Sequence, residues 1–282
     1  QGCSRSRSCT PVCSLRNMTD ALFLVDTSSD DAPLRCDELS AGWKITLPQS
    51  VKRHAIGSMR LAEGDELQLS DGNGLRIQVV VDDAQNGVVQ VLGFEREDKP
   101  TVRLGLIQAL AKNGHDEQAI DVATQIGVDE VTPWQADRSI ARFKAGRTDR
   151  KWMQTLRAAT EQSRRAFVPE LREAMSSKQL LAQIRRDMVH GNLVIVLHQD
   201  ANASWSQVEE AVDALTSRCL EDGKPRTISV VVGPEGGISE QEVDAFRTAG
   251  ALVCVLGSNI LRASAAGPVA LSLLSRAVGR YR

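Results

Sequence analysis

The stretch 227-TISVVVGPEGGIS-239 is an apolar strand that runs straight into three glycines, and 252-LVCVLGSNILRASAAG-267 repeats the design. A short apolar run without alternation reads as a strand buried on both faces, as in a parallel sheet covered by helices. Open α/β sheets place their ligands beyond the carboxyl ends of such strands. Gly233, Gly236 and Gly237, set around Pro234 and Glu235, let backbone amides come close to a ligand. A tight strand-to-helix turn with no ligand accounts for the same residues, so both readings stand at this point. Ser239 followed three residues later by Glu242 predicts a capping box that starts the next helix. In the second stretch Gly257 makes the turn, Ile260 and Leu261 form an apolar pair, and Arg262 precedes a helix opened by small residues. An arginine at a helix entry is usually solvated or paired with a structural carboxylate. Two glycine turns from one sheet bracket this one, which points to a place near substrate.

Upstream, from Glu95 onward, candidate strands and helices alternate. They include the strand VRLGLIQAL (102–110), the helix HDEQAIDVATQIG ended by Gly127, a short strand DEVTPW stopped by Pro133, and a helix around Lys151 to Arg165. The strand NLVIVLH (192–198), which contains Leu197, and the helix SWSQVEEAVDALTSRCL lead into the stretch quoted above, and a final helix ends near Tyr281. This alternation predicts an α/β domain with a mostly parallel sheet covered on both faces. Residues 21–94 follow another rhythm, with short strands ALFLVD, KITLP, DELQLSDG, LRIQVVVDD and GVVQVLGF separated by turn signals at DGNG (71–74) and QNG (85–87). That pattern predicts a small antiparallel β-barrel or sheet with a helical turn at His54 to Arg60. The charged segment EREDKP (95–100) reads as the linker. The expected organisation is therefore a leader at 1–17, which is rich in Arg and Ser and precedes Met18, a β domain at 18–97, and an α/β domain at 98–282.

The 282 residues carry a formal net charge of -2 and are 42% hydrophobic, so RNA binding would have to rest on a local patch. No apolar run reaches the ~20 residues of a membrane helix. The six cysteines form no CxxC pair, so no metal site is expected, and reduced thiols in a cytoplasm are the favoured reading. A basic patch does exist in 137-DRSIARFKAGRTDRKW-152, where Arg138, Arg142, Lys144, Arg147, Arg150 and Lys151 follow one another with Asp149 the one acid among them. Such a run can be a solvated loop. With Arg157, Arg164 and Arg165 following, and Trp134, Phe143 and Trp152 nearby as stacking surfaces, phosphate contact is the expected use. His54 and Arg60 are weaker candidates in the β domain.

GPEGG and LGSNILR, together with QIGVDEVTPW, EQSRR (161–165), VPE (168–170) and the MRLAEGD loop beside His54, resemble the ribosomal RNA small-subunit methyltransferase E family of the knotted SPOUT superfamily. The resemblance covers nearly everything from Phe23 onward. It implies a PUA-like RNA-binding barrel followed by a trefoil-knotted methyltransferase domain that works as a homodimer. It also implies methylation of N3 of a uridine in small-subunit (16S) ribosomal RNA, free or assembled, with S-adenosylmethionine as cofactor. Carried onto this chain, it gives a cofactor site from Leu197, Gly233 to Gly237, Leu256, Gly257, Ile260, Leu261, Ser264 and Ala265. Arg262 and Arg165 are expected to supply positive charge at the reacting base, and His54, Arg60, Arg138, Arg142, Lys144 and Arg147 to contact RNA. The family commonly has Thr-Glu-Thr-Ala after the arginine, whereas this chain has Ala263, Ser264, Ala265 and Ala266. That missing carboxylate keeps open a rival reading, an RNA-binding or assembly protein on the same fold, beside a methyltransferase acting on another RNA.

Overall fold

The computed structural model describes residues 20–25 and 39–281, so the leader segment and Cys3, Cys9, Cys13 and Cys36 lie outside the described residues. The chain divides into two compact units, one ending at Glu97 and the other beginning at Asp98.

In the first unit, β1 (Leu22–Leu24), β2 (Lys44–Thr46), α1 (Gln49–Lys52), β3 (Glu66–Ser70), β4 (Leu75–Asp83) and β5 (Val88–Arg96) follow in order. Helix α1 runs on as a π-helical turn, Arg53–Ser58. The five strands form one sheet ordered β1-β3-β4-β5-β2. The β3–β4 turn closes where the Asp71 carboxylate accepts the backbone N–H groups of Asn73 and Leu75. Alternate residues Leu67, Leu69, Ile77, Val79, Val89 and Val91 form the core, as the period of two requires. The expected antiparallel sheet is corrected in one respect: β1 pairs parallel to β3. No hairpin joins these two strands, and the long connection between them brings the chain back in the same direction.

The second unit carries β6 (Val102–Ala109), α2 (His115–Ile126), β7 (Glu130–Gln135), α3 (Thr148–Gln162), β8 (Glu170–Leu171), β9 (Met175–Ser176), α4 (Ser177–Val189) and β10 (Leu193–Leu197). Then come α5 (Trp205–Asp222), β11 (Arg226–Val232), α6 (Glu240–Thr248), β12 (Leu252–Cys254) and α7 (Ala263–Ala277). The sheet order is β12-β10-β11-β6-β7-β8, with β9 also on β7, and every pairing is parallel. Leu106 and Val230 face a core shared with Ile120, Leu156, Val212 and Leu271 of α2, α3, α5 and α7. Their strand neighbours Ile107 and Val231 face the other way, against Leu180, Ile184, Val243 and Phe246 of α4 and α6. Both faces are covered, which is why these strands are apolar throughout.

Two expectations change here. Strand β7 continues through Pro133 instead of stopping at it. Leu110 donates to the Trp134 carbonyl on the β6 side and Arg172 donates to the Val131 carbonyl on the β8 side. By alternation Pro133 faces the β8 side, between the pairings at Val131 with β8 and at Trp134 with β9, where its missing N–H interrupts no ladder. Helix α4 was not foreseen from the apolar pattern. It buries Leu180 and Ile184 alone, and a stripe that narrow gives little periodic signal. Its Ser176–Gln179 capping box is the sequence mark that would have located it.

The C-terminus is tied down at the edge of the sheet where the strands begin. The Arg280 guanidinium donates to the carbonyls of Gly127 and Val102 and to Asp129, whose carboxylate also accepts the Leu104 N–H. At Gly267, where α7 crosses β6 and β11, a Cβ would stand 2.8 Å from the Leu106 side chain and 3.4 Å from Val232. Glycine is what lets this helix lie so close to the sheet.

Candidate active site

Parallel strands bring all their carboxyl ends to one edge, and there the loops after β6, β7, β10, β11 and β12 gather. The turn after β11 contains Gly233 to Gly237. It is closed by a hydrogen bond from the Gly237 N–H to the Pro234 carbonyl, with Gly237 in the left-handed region at φ 71°. A Cβ on Gly233 would lie 2.6 Å from the Ile238 side chain, so the turn folds onto itself only with glycine there. The expected capping box is present: Ser239 accepts from the Glu242 N–H and the Glu242 side chain receives the Ser239 N–H.

Three neighbouring segments hold this turn. The Glu235 carboxylate accepts the Lys112 N–H at 2.9 Å and stands 3.3 Å from His115 Nδ1, which ties it to the loop between β6 and α2. Arg138 donates to the Gly236 carbonyl at 3.3 Å. Glu242 is buried, and its second carboxylate oxygen, Oε1, accepts the Asp137 N–H at 2.9 Å and the Ser177 hydroxyl. Burial alone would raise the Glu242 carboxyl, but the hydrogen bonds from Ser177, Asp137 and Ser239 outweigh it and hold the group below its ordinary value. Asp116, at the start of α2, is the opposite case: burial pushes its carboxyl above the ordinary range despite the Glu117 N–H it accepts.

The turn after β12 is open. The loop after β10 clasps its base, with His198 N–H donating to the Cys254 carbonyl and Val255 N–H to the Ala203 carbonyl, both at 3.0 Å. Beyond that, no backbone N–H from Leu256 to Leu261 donates to a partner among the described residues. Ile260 is 80% exposed. Arg262, the N-cap of α7, is exposed, and its side chain makes no hydrogen bond or ion pair among the described residues. Leu197, at the end of β10, and Ser264 and Ala265, in the first turn of α7, are half-buried around this turn.

Not every expected residue comes to this edge. Arg165 donates to the Thr124 carbonyl at 2.8 Å and lies 3.9 Å from Asp129, beside the Arg280 cluster. Asp129 in turn holds Leu104 near the start of β6, so Arg165 stands about 20 Å from the site by the rise of that strand. Arg138, Arg142, Lys144 and Arg147 are exposed, as an electrostatic surface needs. Trp134 and Trp152, expected as stacking surfaces, are fully buried, and Trp134 packs edge-on against Phe246. Both lie at periodic core positions, and an aromatic there is a core residue first. In the first unit His54 and Arg60 are exposed, His54 stacks edge-on against Phe23 at 5.3 Å, and Arg60 has a positive φ of 62°. Sequence reading passed over Lys112, His115, Asp116, Asp137 and Ser177. The Asn113-Gly114 dipeptide, with both residues at positive φ, was the signal for the loop that carries Lys112, and His115 and Asp116 open α2 directly behind it. Among the described residues no cluster of His, Cys, Asp or Glu could hold a metal ion, and no helix is long and apolar enough to cross a membrane.

A parallel α/β sheet with two glycine turns at its carboxyl edge is the framework of a nucleotide-type cofactor enzyme, and the RNA methyltransferase domain family matches residues 97–275. The ribosomal RNA small subunit methyltransferase E of Mycobacterium bovis is 33% identical over 94% of this chain and 94% of its own length, and that of Bacillus subtilis is 28% identical over 79% and 86%. The chain belongs to the ribosomal RNA small subunit methyltransferase E family. Among solved structures, the Neisseria gonorrhoeae member bound to S-adenosyl methionine superposes with a TM-score of 0.74 over 93% of this chain and 100% of that one, at 22% identity. A Legionella pneumophila methyltransferase in complex with S-adenosylmethionine superposes with 0.72 over 92% and 98%, at 20% identity, so the fold is shared over almost the whole chain.

Proposed function

We propose that this chain transfers a methyl group from S-adenosylmethionine to N3 of a uridine in small-subunit ribosomal RNA. The observation that carries the reading is the pair of turns at one sheet edge, 233–237 and 256–261, the second with a run of backbone N–H groups that have no partner among the described residues. These groups lie on half-buried to exposed residues at the strand ends and are free to donate to a ligand, and a nucleoside carries acceptors for them on its base and ribose. The residues therefore fit the cofactor, which would be held by Leu197, Gly233 to Gly237, Leu256 to Leu261, Ser264 and Ala265. When bound, it supplies an electrophilic methyl group.

What the protein contributes is position and charge. Uridine N3 must lose its proton to become a good nucleophile, and the negative charge then spreads over the imide and its two carbonyl oxygens. Arg262, which pairs with no group among the described residues, stands at the N-terminus of α7, where the helix dipole adds to its positive field. Arg165, about 20 Å away in the same chain, joins that field only from a second copy. A homodimer is therefore part of the proposal. Exposed Val269 and Leu273, one turn apart on α7, offer it an apolar face. The segment Arg138 to Arg147 would contact RNA phosphates, and so would the first unit through His54 and Arg60, as a PUA-like barrel. The clasp of the 198–203 loop around the end of β12 supports a trefoil knot in the second unit, and an enzyme acting on ribosomal RNA would work in the cytoplasm.

Mapping methylated nucleosides in ribosomal RNA from cells with and without the gene tests this directly. One N3-methyluridine should disappear with the gene, and an unchanged map would return the chain to the assembly-protein reading. Arg262→Ala should reduce turnover by roughly 10²-fold or more at saturating RNA and cofactor, in the range of a lost electrostatic donor. Full turnover would remove Arg262 from its role.

A further inference from the structure

We propose that Glu242 is a positioning residue that locks the basic segment beginning at Arg138 to the glycine turn at 233–237, so that cofactor and RNA bind with positive linkage. The inference rests on the function proposed above and adds a mechanism of communication to it. Its basis is the division of labour between the two oxygens of one carboxylate. Oε2 completes the capping box with the Ser239 N–H and hydroxyl, at 2.9 and 2.8 Å, and a capping box requires nothing more. Oε1 leaves the helix altogether and takes the Asp137 N–H and the Ser177 hydroxyl. Asp137 directly precedes Arg138, which donates to the Gly236 carbonyl. A Cβ added to Gly236 would stand 3.4 Å from Arg138 Cβ and 3.5 Å from its carbonyl oxygen, so the two loops are in close contact.

Both segments are irregular loops on the same sheet edge, and the start of the basic segment, Asp137 and Arg138, meets the glycine turn through Glu242 and the Gly236 carbonyl. A ligand that settles the turn at 233–237 therefore also settles the start of the basic segment, and RNA then binds a surface that is already ordered. By linkage the effect is reciprocal, and couplings of this kind are typically about 5- to 150-fold. Glutamine cannot replace Glu242, because each carboxylate oxygen faces a backbone N–H. Either orientation of the amide turns its NH2 against one of them.

The test measures the dissociation constant of the full-length chain for a small-subunit ribosomal RNA transcript, with and without saturating S-adenosylhomocysteine. In the unaltered protein S-adenosylhomocysteine should tighten RNA binding about fivefold or more. Glu242→Gln and the exposed-site variant Arg138→Ala should bring that ratio within about twofold of one. Arg147→Ala removes the same charge without touching the glycine turn, so it should weaken RNA binding in both states and keep the ratio. Arg138→Ala keeps the test decisive if Glu242→Gln folds poorly. A ratio near one in the unaltered protein, or a full ratio in both variants, overturns the linkage while both ligands still bind. Failure of the unaltered protein to bind either ligand overturns the proposed function, and the linkage with it.

Discussion

Single residues set what this site can do, and Gly233 sets its shape. Because a Cβ there would meet the buried Ile238 side chain at 2.6 Å, Gly233→Ala should push the turn open. Overpacking of this kind costs about 1–3 kcal/mol, and cofactor affinity should fall with it. Calorimetric titration with S-adenosylmethionine checks the second half, and unchanged affinity would detach the turn from the cofactor. Asp116 makes a different case. Its folded-state carboxyl lies above the ordinary 3.8, so its contribution to stability is present below that pH and lost as pH rises. At neutral pH the buried charge is a liability. Asp116→Asn keeps an oxygen for the Glu117 N–H and should melt higher than the unaltered protein at pH 7, a gain that should fade on acidification. A lower melting point at pH 7 would mean that the ionised form is held by contacts not recognised above. The glycines were legible in the sequence because they have no other good use in that pattern. Asp116 and His115 were not, because a polar residue in the first turn of a helix looks the same whether or not a site lies beside it.

At the scale of elements, apolar runs and capping signals carried most of the reading. Strands β6, β10 and β11 are apolar because both faces are covered, and α6 begins where Ser239 and Glu242 say it should. Strands β8 and β9 pair through two residues each and leave no periodic trace, and β12 is shorter than its apolar run because the chain turns away to meet the 198–203 loop. Sequence could also not reveal that the Glu242 side chain serves three elements at once. That junction has a pH signature. Its folded-state value lies below the ordinary 4.5, so its stabilisation is complete above that pH and is lost as pH falls through the folded value. The melting-temperature advantage of the unaltered protein over Glu242→Gln should therefore be largest near neutrality and shrink below about pH 4.5. An advantage that grows in acid would contradict the assigned hydrogen bonds.

At the scale of the whole molecule, the parallel sheet separates the two arginines that sequence had grouped. EQSRR and LGSNILR read as neighbours in function, yet within one chain Arg165 belongs with Thr124 and Asp129 near the strand beginnings, while Arg262 stands at the strand ends. The order of elements held the reason: EQSRR closes a helix and leads back to the strand beginnings, whereas LGSNILR follows a strand and lies at the strand ends. If both arginines act on one uridine, each site must draw them from two chains, which makes a definite prediction about mixtures. Arg165→Ala and Arg262→Ala homodimers should each be nearly inactive. Random exchange of subunits between them gives heterodimers in which one site carries both defects and the other carries neither. An equimolar mixture should then recover about a quarter of the unaltered turnover per site, because a two-fold symmetric pair forms half its population as heterodimers with one intact site each. Methyl transfer measured before and after subunit exchange decides it. Recovery toward that fraction places Arg165 in the partner's site, whereas a mixture as inactive as its components confines Arg165 to holding α2 and β7 together in its own chain.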